Sequence, residues 1–201
     1  MNRLSIKRVS LVTSLILIGS IFAGCQAEYD NKGNDVTTTP APVTTTIPKI
    51  EGEAMNGEIG TQTVNEDIAI TIKNVYKLDI GGDDSEYTYI AFYVEIVNNS
   101  DDNKEYSMLS SFGIREQDAT EDNNNLLCPS NTLLYVKRNT DFNTLNGIVA
   151  PGTMLNGVIT IKIPKDFTEA TFVFYPNIST TTGSILFKFT PSDLEDCPIN
   201  E

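Results

Sequence analysis

The sequence predicts an all-β domain, a β-sandwich, and three observations carry that prediction. Short apolar alternations recur from about residue 57 to residue 189, the segments between them are built from Asn, Asp, Gly and Ser, and no long stretch has a helical apolar period. About seven to nine strands at such spacing, in about 140 residues, fit two packed sheets.

Taken in order, residues 57–64 read as a short edge strand. Ile68, Ile70 and Ile72 alternate with Ala69 and Thr71 in the next, which runs to about Leu78, and residues 80–86 form a loop. The longest strand spans 87–98, with Ile90, Phe92, Val94 and Ile96 on one face and Tyr89, Ala91, Tyr93, Glu95 and Val97 on the other. Apolar character on both faces marks a central strand. Residues 98–104 turn the chain, 106–116 supply a further strand or two with Phe112 and Ile114 as core, and 117–125 are an exposed loop. Residues 133–136 read as a short strand and 137–146 as irregular. Pro151-Gly152 is a turn signal. Ile159, Ile161 and Ile163 alternate up to Pro164, which ends its strand by withholding a ladder donor. Phe172 and Phe174 belong to one more strand, and Ile185, Phe187 and Phe189 to the last. Residues 191–201 are a C-terminal tail, so the domain is expected over 57–190.

Ahead of the domain stand two segments of different character. Arg3, Lys7 and Arg8 precede an apolar run from Val9 to Phe22, the pattern of an export signal over residues 1–24. As a helix this run is only about 20 Å long, short of the roughly 30 Å hydrocarbon core, so a permanent transmembrane helix is the weaker reading. Ile21-Phe22-Ala23-Gly24-Cys25 resembles the lipobox of bacterial lipoproteins, with Phe22 where that family more often has Leu. The resemblance implies that Cys25 carries a thioether-linked diacylglycerol, becomes the mature N-terminus and holds the chain on the extracytoplasmic face of the cell membrane. Two or three acyl chains on one residue, palmitate among them, would give stable anchoring where one chain gives marginal binding.

Residues 25–56 then form a Thr/Pro-rich linker centred on the Thr and Pro run from Val36 to Pro48. It has too few apolar residues, in either period, to bury a face and is expected to be disordered. With Pro40, Pro42 and Pro48 favouring polyproline II, it would lift the domain by as much as ~90 Å. It reads as a passive tether or as an O-glycosylated spacer through a wall layer.

Charge and composition exclude several functions. The chain carries 14 Lys+Arg against 27 Asp+Glu, a net charge of −13. Loss of residues 1–24 would leave 11 against 27, or −16. Nucleic acid is therefore excluded as a partner, since no basic patch exists to neutralise phosphates. Absence of His removes His-based acid/base pairs, triads and zinc sites. No Ser-x-x-Lys set, Gly-x-Ser-x-Gly elbow or phosphate-binding glycine loop is present, so the chain reads as not an enzyme and as needing no cofactor.

At the level of the whole domain, three stretches carry a further resemblance. They are residues 57–64 ahead of the Ile68-Ile70-Ile72 strand, residues 89–99 ending in Val-Asn-Asn, and Ile148-Val-Ala-Pro-Gly152 leading into residues 157–164. The succession resembles the telokin-like, immunoprotective-antigen type of extracellular immunoglobulin-fold domain, a bacterial lipoprotein family of unknown function. That resemblance implies an immunoglobulin-like β-sandwich at a cell surface, and no activity.

Four candidate features remain. Cys128 and Cys197 are the cysteines left after lipidation, and export permits a disulfide worth roughly 4 kcal/mol in the loop-entropy model. A bridge and two separate thiols both fit the sequence. Tyr87, Tyr89 and Tyr93 share one strand face and offer flat rings with hydroxyl handles to a sugar or peptide, or else cover their own sheet. Acidic loops at 83–86, 101–103 and 118–125 contain oxygen ligands, but none has calcium-loop spacing, and solvated loop tips are the preferred reading, with no metal assigned. Asn98-Asn-Ser100 and Asn177-Ile-Ser179 fit the glycosylation acceptor pattern and read as turn residues. The expectation is a lipid-anchored interaction module whose partners are the bilayer, through Cys25, and an extracellular or envelope protein. A small-ligand or calcium-binding lipoprotein serving a transporter or sensor is the alternative.

Overall fold

The computed structural model describes residues 54–81, 86–177 and 183–200. The predicted signal, Cys25, nearly all of the linker and the acidic positions 83–85 lie outside them. The strands are β1 (Met55–Gly57), β2 (Thr63–Asn65), β3 (Ile68–Leu78), β4 (Tyr87–Asn98), β5 (Lys104–Tyr106), β6 (Phe112–Glu116), β7 (Gly147–Val149), β8 (Met154–Pro164), β9 (Ala170–Phe174), β10 (Ile185–Phe189) and β11 (Leu194–Asp196). A helix, α1 (Ser130–Asn139), lies between β6 and β7.

Alternation in the long strands builds a sandwich, as the sequence predicts. One sheet has the order β1-β10-β9-β6, the other β11-β3-β4-β8 with β2 also on β3, and β5 and β7 pair separately. Strand β4 is central: it runs antiparallel to β3 on one side and to β8 on the other, with Phe92 level with Val75 and Ile159. Its inward residues Ile90, Phe92, Val94 and Ile96 are fully buried, and meet Phe112, Phe172, Phe174, Phe187 and Phe189 from the facing sheet. The Phe92 ring stacks on Phe172 at 4.5 Å and meets Phe189 edge-on at 5.0 Å, two geometries the ring quadrupole favours.

Four sequence expectations need correction. The strand expected at 133–136 is replaced by α1, which also takes in 137–139 of the stretch expected to be irregular, while 140–146 are irregular as expected. Its buried positions Thr132 and Val136 are one helical turn apart, and Thr140 continues the face, so two threonines hide the apolar period. Thr132 Oγ1 lies 2.9 Å from Thr160 Oγ1 of β8, and both side chains are buried. The single edge strand expected at 57–64 is two strands in different sheets: β1 lies parallel to β10, and β2 antiparallel to the first part of β3. The first strand also begins at Met55 rather than Gly57. Finally, the tail contains β11, parallel to β3 at Val75–Lys77, because the bulge near Lys73 lets β3 take two short partners along one edge.

Close approach explains one glycine. Residues 143–145 run along the free edge of β8, where Leu145 N–H donates to Val158 O at 3.0 Å and Val158 N–H to Asn143 O at 2.8 Å. A Cβ on Gly157 would come within 2.8 Å of that backbone. This segment closes the edge that β8 would otherwise present.

Truncating the ring shared by both sheets should be costly. Phe92→Ala is expected to lower unfolding free energy by about 3–5 kcal/mol, read as a reduced midpoint in urea at unchanged slope. A loss under about 1 kcal/mol would contradict this account of the core.

Candidate functional site

Where the sequence places a Tyr face, the structure places a second small core. Tyr87, Tyr89 and Tyr93 do share the outer face of β4 and are half-buried. Phe142 lies over that face, stacked on Tyr76 at 5.5 Å and on Tyr93 at 5.2 Å, in a cluster that includes Tyr89, Val136, Val158 and Tyr135. Lys162 Nζ sits 4.7 Å from the centroid of the Tyr87 ring. Tyr89 and Tyr93 therefore pack in a cluster on their own sheet, the reading that stood beside a ligand face in the sequence, with Phe142 from the segment after α1 lying over it, while Tyr87 faces Lys162.

No disulfide joins Cys128 and Cys197. Cys197 follows β11 and donates its backbone N–H to Lys77 O, on the β3 edge, whereas Cys128 N–H donates to Thr160 O beyond β8. Three to four strand spacings, about 14–19 Å, separate those edges, well past the reach of a bridge. Burial pushes the Cys197 thiol above its usual value, which favours the protonated form. Among the described residues, no three acidic or cysteine side chains are grouped to hold a metal.

Instead the loops converge at one end of the sandwich, where β2 turns into β3, β4 leaves for β5, and β9 ends. Asn98 is the pivot. It is fully buried, and Nδ2 donates to Asp102 O at 2.7 Å and Val149 O at 2.9 Å, while Oδ1 accepts from Ser100 N at 3.0 Å and Ser100 Oγ at 2.6 Å. The side chain is fully engaged, which explains a turn residue and leaves no accessible amide for a glycan.

Held by this turn, Lys104 enters a polar groove of about 550 Å³ lined by Asn103, Glu105, Ser107, Ser110, Pro176 and Asn177. A narrower recess of about 40 Å³ continues past Lys104 to Glu66, Asp67 and Ser100. Below it, the buried Tyr106 hydroxyl lies 3.5 Å from Pro176 O, and burial pushes its phenol up to about 12. Glu66 adopts φ 51°, in the left-handed region, at the turn that forms the recess. Lys104 is half-buried and makes no ion pair among the described residues, unlike Lys73, Arg115 and Lys188. Four of the seven exposed large apolar side chains among the described residues also belong to the segments at this end: Val64, Leu109, Ile148 and Met154. Sequence reasoning read the acidic loops as solvated tips and offered the domain's loops in general as a contact surface, without saying which of them meet. Their convergence depends on pairings between strands far apart in the chain.

A separate polar contact locks the 117–123 loop. Arg115 Nε donates to Asp122 Oδ1 at 3.0 Å, Asn123 N–H to Ile114 O at 2.6 Å, and Asn123 Nδ2 to Glu116 Oε1 at 3.2 Å. Gly113 leaves room for the carboxylate, since a Cβ there would come within 2.8 Å of Asp122 Oδ2 and 2.9 Å of the Tyr175 hydroxyl. Burial raises the Asp122 carboxyl above the ordinary carboxylate value, and the Arg115 charge and hydrogen bond only partly oppose it.

The family model for a domain of unknown function, DUF5067, matches residues 48–176, well over half of the chain. No curated protein matches it in sequence. Among solved structures, the ycdA protein of Bacillus subtilis, described as a candidate lipoprotein, is 14% identical with a TM-score of 0.47, over 66% of this chain and 39% of that one. The chain thus spans about two fifths of the length of ycdA. The yjhA protein of the same organism is 14% identical with a TM-score of 0.47, over 66% and 98% of the two chains. An uncharacterized β-sandwich protein of Clostridium difficile is 15% identical with a TM-score of 0.41, over 70% and 97%.

Two measurements check these assignments. Replacing Tyr89 and Tyr93 together by Ser should remove about 2–5 kcal/mol of stability, and an unchanged urea midpoint would return these rings to the role of an open platform. For Asp122, the folded chain holds the proton more tightly than the unfolded one, so ionisation costs stability. The stability of the wild type relative to Asp122→Asn should therefore rise as pH falls from just above the raised folded value to below the ordinary carboxylate value. A difference that stays flat or falls would show that Arg115 dominates.

Proposed function

The chain belongs to the DUF5067 family of domains of unknown function, and we propose that it is a lipid-anchored extracytoplasmic protein displaying its β-sandwich as an interaction module, with the loop end around Lys104 as contact surface. The export signal and the lipobox-like Ile21–Cys25 support the anchor, and the Thr/Pro-rich stretch supports the spacer. The telokin-like, immunoglobulin-fold resemblance belongs to this proposal as its finer form.

One observation carries the choice of surface. The groove, its half-buried lysine and four of the seven large apolar side chains exposed among the described residues gather at one end, opposite to where β3 and β4 are joined by residues 79–86. Exposed apolar side chains gathered beside polar groups, rather than scattered singly over the surface, mark a contact surface. The small-ligand reading retains support from the groove volume, which falls within the range of ligand pockets.

In-cell crosslinking of the full lipoprotein, identified by mass spectrometry, tests the proposal against Cys25→Ala and Lys104→Glu controls. A discrete partner that is lost in Cys25→Ala and changes in yield in Lys104→Glu is expected. A partner set unchanged by Lys104→Glu would remove the loop end from the reading, and one unchanged by Cys25→Ala would remove the anchor.

A further inference from the structure

The β-ladders bring four apolar residues from separate strands into one row. Val64 is level with Ala69, Ala69 with Val97, and Val97 with Met154, so the row crosses β2, β3, β4 and β8 on the outer face of their sheet. At strand spacing the row is about 14 Å long. Its ends are open, Val64 being 47% and Met154 52% exposed, while Val97 is half-buried and Ala69, 2% exposed, is the floor between them; the rest of this face toward Tyr93 is covered by Phe142. The row lies immediately beside the β2–β3 turn, whose Glu66 and Asp67 line the recess next to Lys104.

Charge at this end is unbalanced. The groove and recess together present the carboxylates of Glu66, Asp67 and Glu105 against the single ammonium of Lys104. Asp101 and Asp102 are exposed in the adjoining loop, and the whole chain carries −13. A second copy of this chain would meet the same sign of charge and be repelled, as would an anionic lipid surface. A cation-bearing partner would instead be steered in and held beside the row.

We propose that the Val64–Ala69–Val97–Met154 row and the neighbouring Glu66 and Asp67 form a docking surface for a cationic polypeptide segment in which basic and apolar side chains alternate. An extended segment puts successive side chains on opposite faces, so its apolar residues lie on the row while basic residues on its flanks reach the turn carboxylates. This rests on the reading of the loop end as the contact surface and gives the partner its chemistry.

The test uses the full lipoprotein in nonionic detergent micelles and fluorescein-labelled decapeptides of alternating lysine and valine, or glutamate and valine, read by anisotropy at low and high salt. The Lys–Val peptide is expected to bind. Val64→Ser with Met154→Ser, and separately Glu66→Gln with Asp67→Asn, should each weaken it about tenfold, the second pair also flattening the salt dependence. Both pairs should keep the wild-type melting temperature. Glu86→Gln with Asp166→Asn, at the opposite end of the sandwich, should leave binding unchanged. Equal loss in that control pair, or no loss in either loop-end pair, overturns the proposal as non-specific charge attraction. Absence of Lys–Val binding also overturns it. Binding of the Glu–Val peptide that disappears in Lys104→Ala would overturn the cationic partner while keeping the loop end as the contact surface.

Discussion

The contact on which the rest of the structure depends is the Phe92 ring held between sheets. It stacks on Phe172 and meets Phe189 edge-on, and its strand is paired along most of its length on both sides. Burial of such a ring removes a large apolar surface from water, and burial of its neighbours Ile90, Val94 and Ile96 follows from the two-residue period of the same strand. A shift of one residue in β4 would send all four to the outer face and bring Tyr89, Tyr93 and Glu95 inward. Register and core are thus one constraint, and it also sets where Asn98 falls at the strand end.

Closing the sheet edges is the second requirement of the fold. The β3 edge is shared by β2 and β11, the β8 edge is bonded by residues 127–128 and 143–145, and the β6 edge receives the Asn123 N–H. Short pieces of irregular chain thereby satisfy backbone groups that would template aggregation. The same device produces the loop end: Asn98 gathers the backbone of Asp102 and Val149, and the strands it joins bring Lys104 beside Pro176 and Glu66.

The outer face of the β3-β4-β8 sheet is divided. Toward β11 it is covered by α1, Phe142 and the tail, where Asn200 N–H donates to Asn139 O at 2.8 Å and Asn200 Nδ2 to Asp141 Oδ1 at 2.9 Å. Toward the β2–β3 turn it carries the apolar row, exposed at Val64 and Met154 and closed at Ala69. Lys73 and Glu95, 3.8 Å apart, lie between the two zones and keep a polar boundary. One half of the face therefore serves stability, and the other carries the surface proposed for contact.

The sequence by itself determined the class of fold and the central strand. Period-two alternation at Ile68–Ile72, Ile90–Ile96 and Ile159–Ile163 has only one way to bury its apolar side, and the strands at those positions follow it. Helix α1 was not legible because Thr132 within it and Thr140 just past its end face inward, where hydroxyl bonds to Thr160 and to Val136 O replace apolar contact. Nor was β11, whose residues Leu194–Asp196 have no apolar period and become a strand only because β3 offers an edge. The separation of Cys128 from Cys197, the covering of the Tyr face and the groove around Lys104 were decided by tertiary structure alone. Each depends on which distant strands lie side by side, and local sequence carries the period of a strand but not the identity of its neighbour.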